Sequence, residues 1–353
     1  MNSAYASSLS ALWKALSLAS RERMLFATWG TFLVAGAISY WVEFAVQKHP
    51  RSIRSFLNYC FPWRDWKSAS ARVDVVLYFI GKGTDRLIGG IGLVLVGVLS
   101  VYVSRYLDAA FSSTARTNGG VLDVLILGCL FFLAVDFANY TTHLMEHKIP
   151  LLWEFHKVHH SASFLSPLTT ARFHPLEKMI DSVFSSLFVG LIAGVAKHFY
   201  NFSVAELLGI VAAGNAIATL AVLDSLRHSQ FPVSFGLFDR VILSPHMHQL
   251  HHSVKLEHWD KNMGNKLSIW DWCFRTGFKP DKGEALRYGT GQSEDTDYES
   301  VLNCYILPIV KSYRLCKQSL GTESAEVDDT QPIQSVQSTQ SLSQLPQTES
   351  FMD

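Results

Sequence analysis

The chain has 353 residues, of which 30 are basic and 30 acidic, so its formal net charge is zero. This balance gives no reason to expect nucleic acid as a partner. Hydrophobic residues make up 48% of the chain and charged residues only 17%, whereas a soluble domain has about 25% charged residues. The composition therefore excludes an ordinary soluble domain and favours a membrane protein.

The chain opens with two apolar runs, Met24–Val46 and Leu87–Ser104, each long enough to cross roughly 30 Å of hydrocarbon. The first run follows the basic residues Lys14, Arg21 and Arg23. It is too long for a secretory signal and lacks a small-residue cleavage site. We therefore predict two retained membrane-spanning helices.

Three more apolar runs follow. Val121–Tyr140 leads directly into the first histidines, and Val183–Phe199 and Val204–Leu223 are separated by only four residues. So short a loop predicts a hairpin of antiparallel neighbouring helices. A hairpin returns the chain to the side it left, so the histidine-rich stretches 143–174 and 228–252 are expected on the same face.

The distribution of basic residues predicts the orientation in the membrane. Eight Lys and Arg residues lie between the first two spans, against two between the second and third. By the positive-inside rule the first loop, and with it every histidine cluster, faces the cytoplasm. Within that loop, Val73–Gly81 fits an interfacial helix or a shallow hairpin.

These patterns predict an all-α fold: a multi-span membrane helical bundle with a cytoplasmic helical cap that holds a histidine-rich dimetal site. Residues 1–118 form an N-terminal membrane region, 119–290 the catalytic domain, and 291–320 a C-terminal segment. The Ser- and Gln-rich residues 321–353 are too polar to join a core and are expected to be a disordered tail. Five scattered cysteines indicate free thiols in a reducing compartment and no disulfide framework.

Histidine spacing carries the chemistry. Twelve of the fourteen histidines fall between His143 and His252, including one H-x3-H pair and two H-x-x-H-H clusters. Residues three and four apart share a helix face, so these imidazoles can converge on one point. Eight or more of them are too many for one ion, and an all-nitrogen site with open positions suits iron that binds O2. The spacing predicts two metal ions.

The chain resembles the fatty acid hydroxylase and sterol desaturase superfamily of membrane di-iron enzymes over residues 136–280. The matching segments are DFANYTTHLMEH, IPLLWEFHKVHHS, RFHPLEK, LRHSQFP, SPHMHQLHHS and EHWDKNMGNKLSIWDWCFRTG. The resemblance implies a cytoplasmic di-iron site, O2 as co-substrate, a lipid substrate, and electrons from a separate b-type cytochrome or ferredoxin with its reductase.

Carried onto this chain, the resemblance implies nine metal ligands. They are His143, His147, His156, His159, His160, His228, His248, His251 and His252. Asp136 and Tyr140 share a helix stripe with the first two ligands, so Asp136 is expected to orient a ligand ring, with Tyr140 beside it. His174 fits either a ligand or a hydrogen-bonding neighbour of one. We expect His49, His198 and His258 to be interfacial or structural.

Two other function classes remain open on sequence grounds. His143 to His147 reads H-x-x-E-H, which is the signature of inverted zinc metalloproteases with Glu146 as general base. This motif leaves the two H-x-x-H-H clusters unexplained. The third class is a non-catalytic metal-binding membrane protein built on the same fold. Hydroxylation and desaturation are not distinguished by the sequence.

Overall fold

A computed structural model describes residues 22–47, 52–111, 116–221, 226–279, 284, 286–291 and 293–320. The predicted tail, and His49, lie outside the described residues. Within them the regular structure is helical, with three isolated β-bridges. The α-helices are α1 (Glu22–Gln47), α2 (Ile53–Cys60), α3 (Trp63–Trp66), α4 (Ala69–Phe111), α5 (Val121–Lys148), α6 (Pro150–His160), α7 (Pro175–Phe199), α8 (Val204–Ala221), α9 (Pro245–His251), α10 (Ile269–Cys273) and α11 (Val301–Ser319). Short 3-10 helices lie at Thr169–Ala171, Gly236–Arg240, Leu256–His258 and Ser293–Glu299.

Three described helices, α4, α5 and α7, are long and apolar enough to cross a membrane. They contain the second, third and fourth predicted spans. The first predicted span lies on α1, and the fifth lies on α8, whose apolar part Val204–Thr219 is shorter. The all-α, multi-span fold class is confirmed, and the five cysteines are free thiols.

Two details of the predicted topology are wrong. Val73–Gly81 is neither a separate helix nor a hairpin, because α4 continues through it for 43 residues. The hairpin loop at 200–203 is present, but α8 packs mainly against α5 rather than against its sequence neighbour α7. Leu207 and Ile210 of α8 share a buried cluster with Leu127 and Phe131 of α5.

Small residues allow α4 and α7 to pack closely. A Cβ placed on Gly194 would lie 2.5 Å from the Cβ of Val103, and one placed on Gly92 would lie 2.7 Å from the hydroxyl of Ser182. Close approach of helix backbones through small residues is typical of membrane helices, where packing rather than water exclusion holds them together. The closely packed helices α4 and α7 support the segments that carry the histidines.

Several helices begin or end at the end of the bundle that carries the histidines. The helix α4 begins there, α5 ends there, and α6, α7 and α9 each begin with proline at the first turn. Proline is favoured at this position because its missing N–H would have no helical partner. With the helices starting here, the histidine-rich segments lie on one face of the bundle. One segment precedes the α7–α8 hairpin and the other follows it, as the sequence predicts.

The packing of α4 on α7 generates a prediction. Gly194→Ala gains helix propensity of about 1 kcal/mol, but the new methyl overlaps Val103, and overpacking costs about 1–3 kcal/mol. We expect a lower midpoint of thermal unfolding in detergent. Gly97 is the matched control because no heavy atom lies within 4 Å of its Cβ position. Equal midpoints for Gly194→Ala and Gly97→Ala would contradict this packing.

Candidate metal centre

The structure brings all nine predicted ligand histidines together in two groups. Within each group, one nitrogen from every ring lies within 4.8 Å of the others. The five-histidine group contains His143, His147, His156, His160 and His251. The four-histidine group contains His159, His228, His248 and His252. The two groups adjoin, since the ring centroids of His160 and His252 are 4.5 Å apart.

Helix geometry explains how each H-x-x-H-H motif serves both groups. On α6, His156 and His160 are four residues apart and enter the five-histidine group, while His159 turns toward the other group. At α9 the division is reversed, because His248 and His252 enter the four-histidine group and His251 the five-histidine group. Side chains at i and i+4 share a face that the i+3 side chain leaves. Two short motifs therefore supply six ligands to two centres.

Backbone carbonyls fix the orientation of several rings. Nδ1 of His143 donates to the carbonyl of Met263 at 2.8 Å, and Nδ1 of His251 donates to the carbonyl of Lys261 at 2.8 Å. Because a carbonyl only accepts, the proton of each neutral ring lies on Nδ1 and leaves Nε2 bare. Nδ1 of His159 contacts the carbonyl of Arg172 at 3.3 Å in the same way. These rings present unprotonated nitrogens to the interior of the site.

The interior nitrogens face one another at short distances. Nε2 of His156 lies 3.2 Å from Nε2 of His143 and 3.1 Å from Nε2 of His160. In the other group, Nε2 of His228 lies 3.1 Å from Nε2 of His159 and 2.9 Å from Nε2 of His248. Nitrogens bound to one ion at about 2.1 Å lie roughly 3.0–3.4 Å apart. The spacing in both groups is that of ligands around a shared cation.

Unsatisfied polar atoms support the same reading. Nε2 of His147 and of His251 is buried with no hydrogen-bond partner. Burial, with repulsion between neighbouring rings as a smaller cause, holds the pKa of His160 and His252 well below its usual value. The rings are therefore in the neutral form that binds metals. Neutral, convergent, nitrogen-only donors fit a pair of transition-metal ions.

Residues 128–276 match the family model described as fatty acid hydroxylase. Over these residues the chain resembles the fatty acid hydroxylase and sterol desaturase superfamily. It is 25% identical over 154 residues to an ornithine lipid hydroxylase of Rhizobium tropici, covering 44% of this chain and 42% of that protein. It is 26% identical over 146 residues to the alkylglycerol monooxygenase of Homo sapiens, covering 41% and 29%.

A third relative in this superfamily is a Delta(7)-sterol 5(6)-desaturase of Gibberella zeae, 33% identical over 116 residues, with 31% of this chain and 33% of that protein covered. The matches span less than half the length of each of these relatives. No solved structure matches the chain. The shared region contains all nine histidines of the two groups.

Two carboxylates contact the outer nitrogen of His156, a role that the sequence analysis assigned to neither of them. Oε1 of Glu177 lies 2.7 Å from Nδ1 of His156, and Oε2 of Glu146 lies 3.4 Å from the same nitrogen. Both carboxylates are buried. A carboxylate on the outer nitrogen of a ligand histidine fixes the ring and strengthens its basicity. Glu177 follows His174 and Pro175 in the RFHPLEK segment, which is one of the segments that resemble the superfamily. That resemblance was the sequence signal that could have identified Glu177.

The position of Glu146 also bears on the metallohydrolase alternative. A general base must face the substrate side of the metal, where it can reach the attacking water. Glu146 instead contacts Nδ1 of His156, on the side of the ring opposite the convergent Nε2 atoms. The glutamate of the H-x-x-E-H motif therefore lies at the outer nitrogen of His156, on the side of the ring away from the convergent nitrogens.

Asp136 has partners different from the expected ones. Its carboxylate accepts hydrogen bonds from the backbone N–H of Lys266 at 2.7 Å, the backbone N–H of Leu267 at 3.2 Å and the indole N–H of Trp270 at 2.9 Å. A direct contact with a ligand ring is not among these bonds. The aspartate satisfies backbone N–H groups of a loop that packs against a membrane helix, where an unsatisfied N–H is costly.

Asp271 fixes the other part of the same loop. Its carboxylate accepts hydrogen bonds from the backbone N–H of Met263 at 2.7 Å, the backbone N–H of Gly264 at 3.0 Å and the hydroxyl of Thr276 at 2.7 Å. Met263 is the residue whose carbonyl orients His143. Asp271 therefore positions His143 indirectly, through the backbone of Met263. The sequence did not reveal this role, because Asp271 and His143 are not related by the spacing of a helix.

Tyr140 and His174 lie outside both groups. The hydroxyl of Tyr140 is 3.2 Å from the hydroxyl of Thr276, and its ring stacks on Phe274. His174 caps α7, because its Nδ1 accepts from the backbone N–H of Leu176 and its Nε2 contacts the carbonyl of Tyr305 at 3.3 Å. Both nitrogens of His174 are thus engaged with backbone, away from the convergent nitrogens.

The remaining described histidines lie outside the two groups. Nδ1 of His198 contacts Asp108 at 2.7 Å near the opposite ends of α4 and α7. His258 lies beside Glu257 and Glu284.

Glu177 generates a testable prediction. Glu177→Ala removes the acceptor from His156 and is expected to weaken metal affinity by roughly 10–100-fold. Glu177→Gln is expected to restore most of the affinity, because an amide oxygen still accepts the Nδ1 proton. Metal affinity is measured by competition with a chelator on the purified protein, and Glu206→Ala in the first turn of α8 is the control. Wild-type affinity in Glu177→Ala would show that the carboxylate does not position the ring.

Proposed function

We propose that the chain is an O2-dependent di-iron membrane oxidoreductase that hydroxylates or desaturates a lipid. One observation carries the proposal: nine imidazoles converge in two adjoining groups at the end of an apolar helical bundle. The proposed ligands are the members of the five-histidine and four-histidine groups. Iron bound there supplies the redox chemistry that activates O2, which zinc lacks because it has no accessible redox change.

The residues around the two groups have a defined task in this proposal. Carbonyls of Met263 and Lys261 and the carboxylate of Glu177 keep the outer N–H groups engaged, so that the inner nitrogens remain bare and fixed. Burial of the rings excludes bulk water from the reacting region. Preorganised ligands of this kind reduce the reorganisation that accompanies a change of oxidation state.

The number of histidines in each group is the basis on which we propose where O2 and the substrate bind. Iron takes four to six ligands, so five histidines leave at most one position open, whereas four leave up to two. We propose that His159, His228, His248 and His252 would hold the ion with fewer histidine ligands, and that O2 and the substrate C–H bond would approach on this side of the site. We infer that the lipid approaches from the bilayer, because the apolar helix α5 carries His143 and His147 into the adjoining five-histidine group.

Hydroxylation is the reaction that we favour. The matches to the ornithine lipid hydroxylase and the human alkylglycerol monooxygenase span 154 and 146 residues, against 116 for the sterol desaturase. Hydroxylation converts R–H, O2, two electrons and two protons into R–OH and one water. Desaturation uses the same O2, electrons and protons but removes two hydrogens from the lipid and yields two waters. Both reactions require an external electron donor, proposed to be a b-type cytochrome or a ferredoxin with its reductase.

We propose that the site faces the cytoplasm, on the basis of the basic residues between the first two spans. The membrane is then the endoplasmic reticulum in a eukaryote and the inner membrane in a bacterium. A reporter inserted at Asn201, in the loop at the opposite end of the bundle, should be non-cytoplasmic. A reporter fused after Lys317 should be cytoplasmic. Reversed locations would invert the orientation without affecting the proposed reaction.

Metal content tests the ligand assignment. The protein purified in mild detergent after growth with iron should hold about two iron ions per chain. His251→Ala removes one of five ligands at one centre, and we expect it to lower the iron content. His198→Gln is the control, because this buried histidine pairs with Asp108 at the other end of the bundle. Undiminished iron in His251→Ala, measured by elemental analysis, would refute the assignment of His251.

Isotope labelling tests the reaction. Cells with and without the gene are grown under 18O2, and their lipids are compared by mass spectrometry. Hydroxylation predicts a lipid that gains one 18O atom only when the gene is present, and desaturation predicts a lipid that loses two hydrogens without label. The His251→Ala variant should abolish either change. A gene-dependent lipid change that persists at full rate without O2 would exclude this proposal.

A further inference from the structure

The C-terminal helix α11 has three distinct faces. Cys304, Pro308 and Ser312, spaced four residues apart, are buried against the rest of the protein. Leu302, Ile306, Ile309, Tyr313 and Leu320 form a second, apolar stripe, and their exposed fractions range from 45% to 76%. The apolar stripe follows helical spacing, so it is a continuous surface rather than a set of scattered side chains.

The third face of α11 is basic. Lys311, Arg314 and Lys317 lie along it, and Val301–Ser319 contains no acidic residue. Lys311 and Lys317 also lie over the rings of Tyr298 and Tyr313, at 5.4 Å from each centroid. An exposed apolar stripe flanked by lysine and arginine is typical of helices that lie in the plane of a membrane surface.

The position of α11 relative to the spans supports this comparison. The hydroxyl of Ser312 donates to the carbonyl of Leu151 at 3.4 Å, three residues beyond the end of α5. Cys304 packs in one buried cluster with Val73 and Leu77 of α4. The helix is therefore held against the ends of two membrane-spanning helices, and its buried face fixes how the apolar stripe is turned.

Exposed apolar residues on the spans continue to the level of α11. On α4 they include Val76, exposed by 42%, and Phe79, exposed by 70%, within one turn of Leu77. At the junction of α5 and α6, Ile149 and Leu151 are each 39% exposed. Lys82, Asp85 and Arg86 separate Val76 and Phe79 from the apolar run Leu87–Ser104. Val76, Phe79, Ile149 and Leu151 therefore form an apolar rim beside α11 where the spans end, and the bilayer surface is the apolar phase adjacent to that rim.

We propose that α11 is an interfacial helix that docks the catalytic end of the protein on the membrane surface. Its apolar stripe enters the boundary between headgroups and acyl chains, and Lys311, Arg314 and Lys317 bind the anionic groups of phospholipids. Each basic residue near an anionic surface contributes about 1 kcal/mol of attraction. This role is independent of the reaction at the histidine groups.

Spin labels on the full-length protein test the proposal. Ile306, Ile309 and Arg314 are replaced one at a time by cysteine in a chain whose exposed Cys129, Cys273 and Cys316 are serine. The labelled proteins are placed in lipid nanodiscs of phosphatidylcholine with about 30% phosphatidylglycerol. Collision rates with O2, which enters lipid, and with a nickel chelate, which stays in water, are then measured for each label.

We expect the ratio of O2 to nickel collision rates to be at least roughly threefold higher for labels at 306 and 309 than at 314. Replacing Lys311, Arg314 and Lys317 together by glutamine should lower the ratio at 309 toward that of a water-exposed site. Nickel access at 306 and 309 equal to that at 314 would overturn the proposal. Protection at 306 and 309 that depends on protein concentration, rather than on anionic lipid, would assign the stripe to a second copy of the chain and also overturn it.

Discussion

The structure depends on one electrostatic constraint, which is that nine imidazoles with bare, mutually facing nitrogens occupy a largely buried space. Lone pairs at about 3 Å repel one another unless a cation or a shared proton lies between them. Burial opposes protonation, as the low pKa of the histidines on α6 and α9 indicates. Metal ions relieve this repulsion, so metal binding and the folding of the site are coupled.

The frame around the histidines resists their separation. Arg172 is fully buried, and its guanidinium donates to Asp74 on α4, to the carbonyl of Val158 on α6 and to the carbonyl of Tyr298 before α11. Its own carbonyl contacts Nδ1 of His159. One side chain therefore ties three segments of the chain to the four-histidine group. Removing either charge of the buried pair would leave the other uncompensated, which is strongly destabilising.

The opposite side of the site is held by a loop instead of an ion pair. Asp136 binds N–H groups at one part of the loop and Asp271 binds those at another, and the loop supplies the Met263 carbonyl to His143. Gly264 lies inside it, where a Cβ would come within 2.5 Å of the carbonyl of Leu267. Close backbone approach therefore explains the glycine at position 264.

Periodic features of the sequence were the ones that could be predicted. Apolar runs predicted the helices, and spacings of three and four residues predicted eight of the converging histidines, because both follow from helix geometry. His228 has no histidine at such a spacing, and only the resemblance to the superfamily predicted it. The helix against which α8 packs could not be predicted from the sequence. It is decided by packing contacts between distant segments, such as that of Gly214 with the backbone of Gly128, and not by which helix is nearest in the chain. The contacts of Glu177, Asp136 and Asp271 were also out of reach, because they join side chains to other segments at no fixed spacing.

Iron X-ray absorption spectroscopy on the purified full-length protein tests the central claim most directly. We predict about two iron ions per chain, a first shell made mostly of nitrogen with the remaining ligands oxygen, and the outer-shell scattering of several imidazole rings on each ion. A single iron per chain, or a first shell dominated by carboxylate or sulfur, would contradict a centre built from the five-histidine and four-histidine groups.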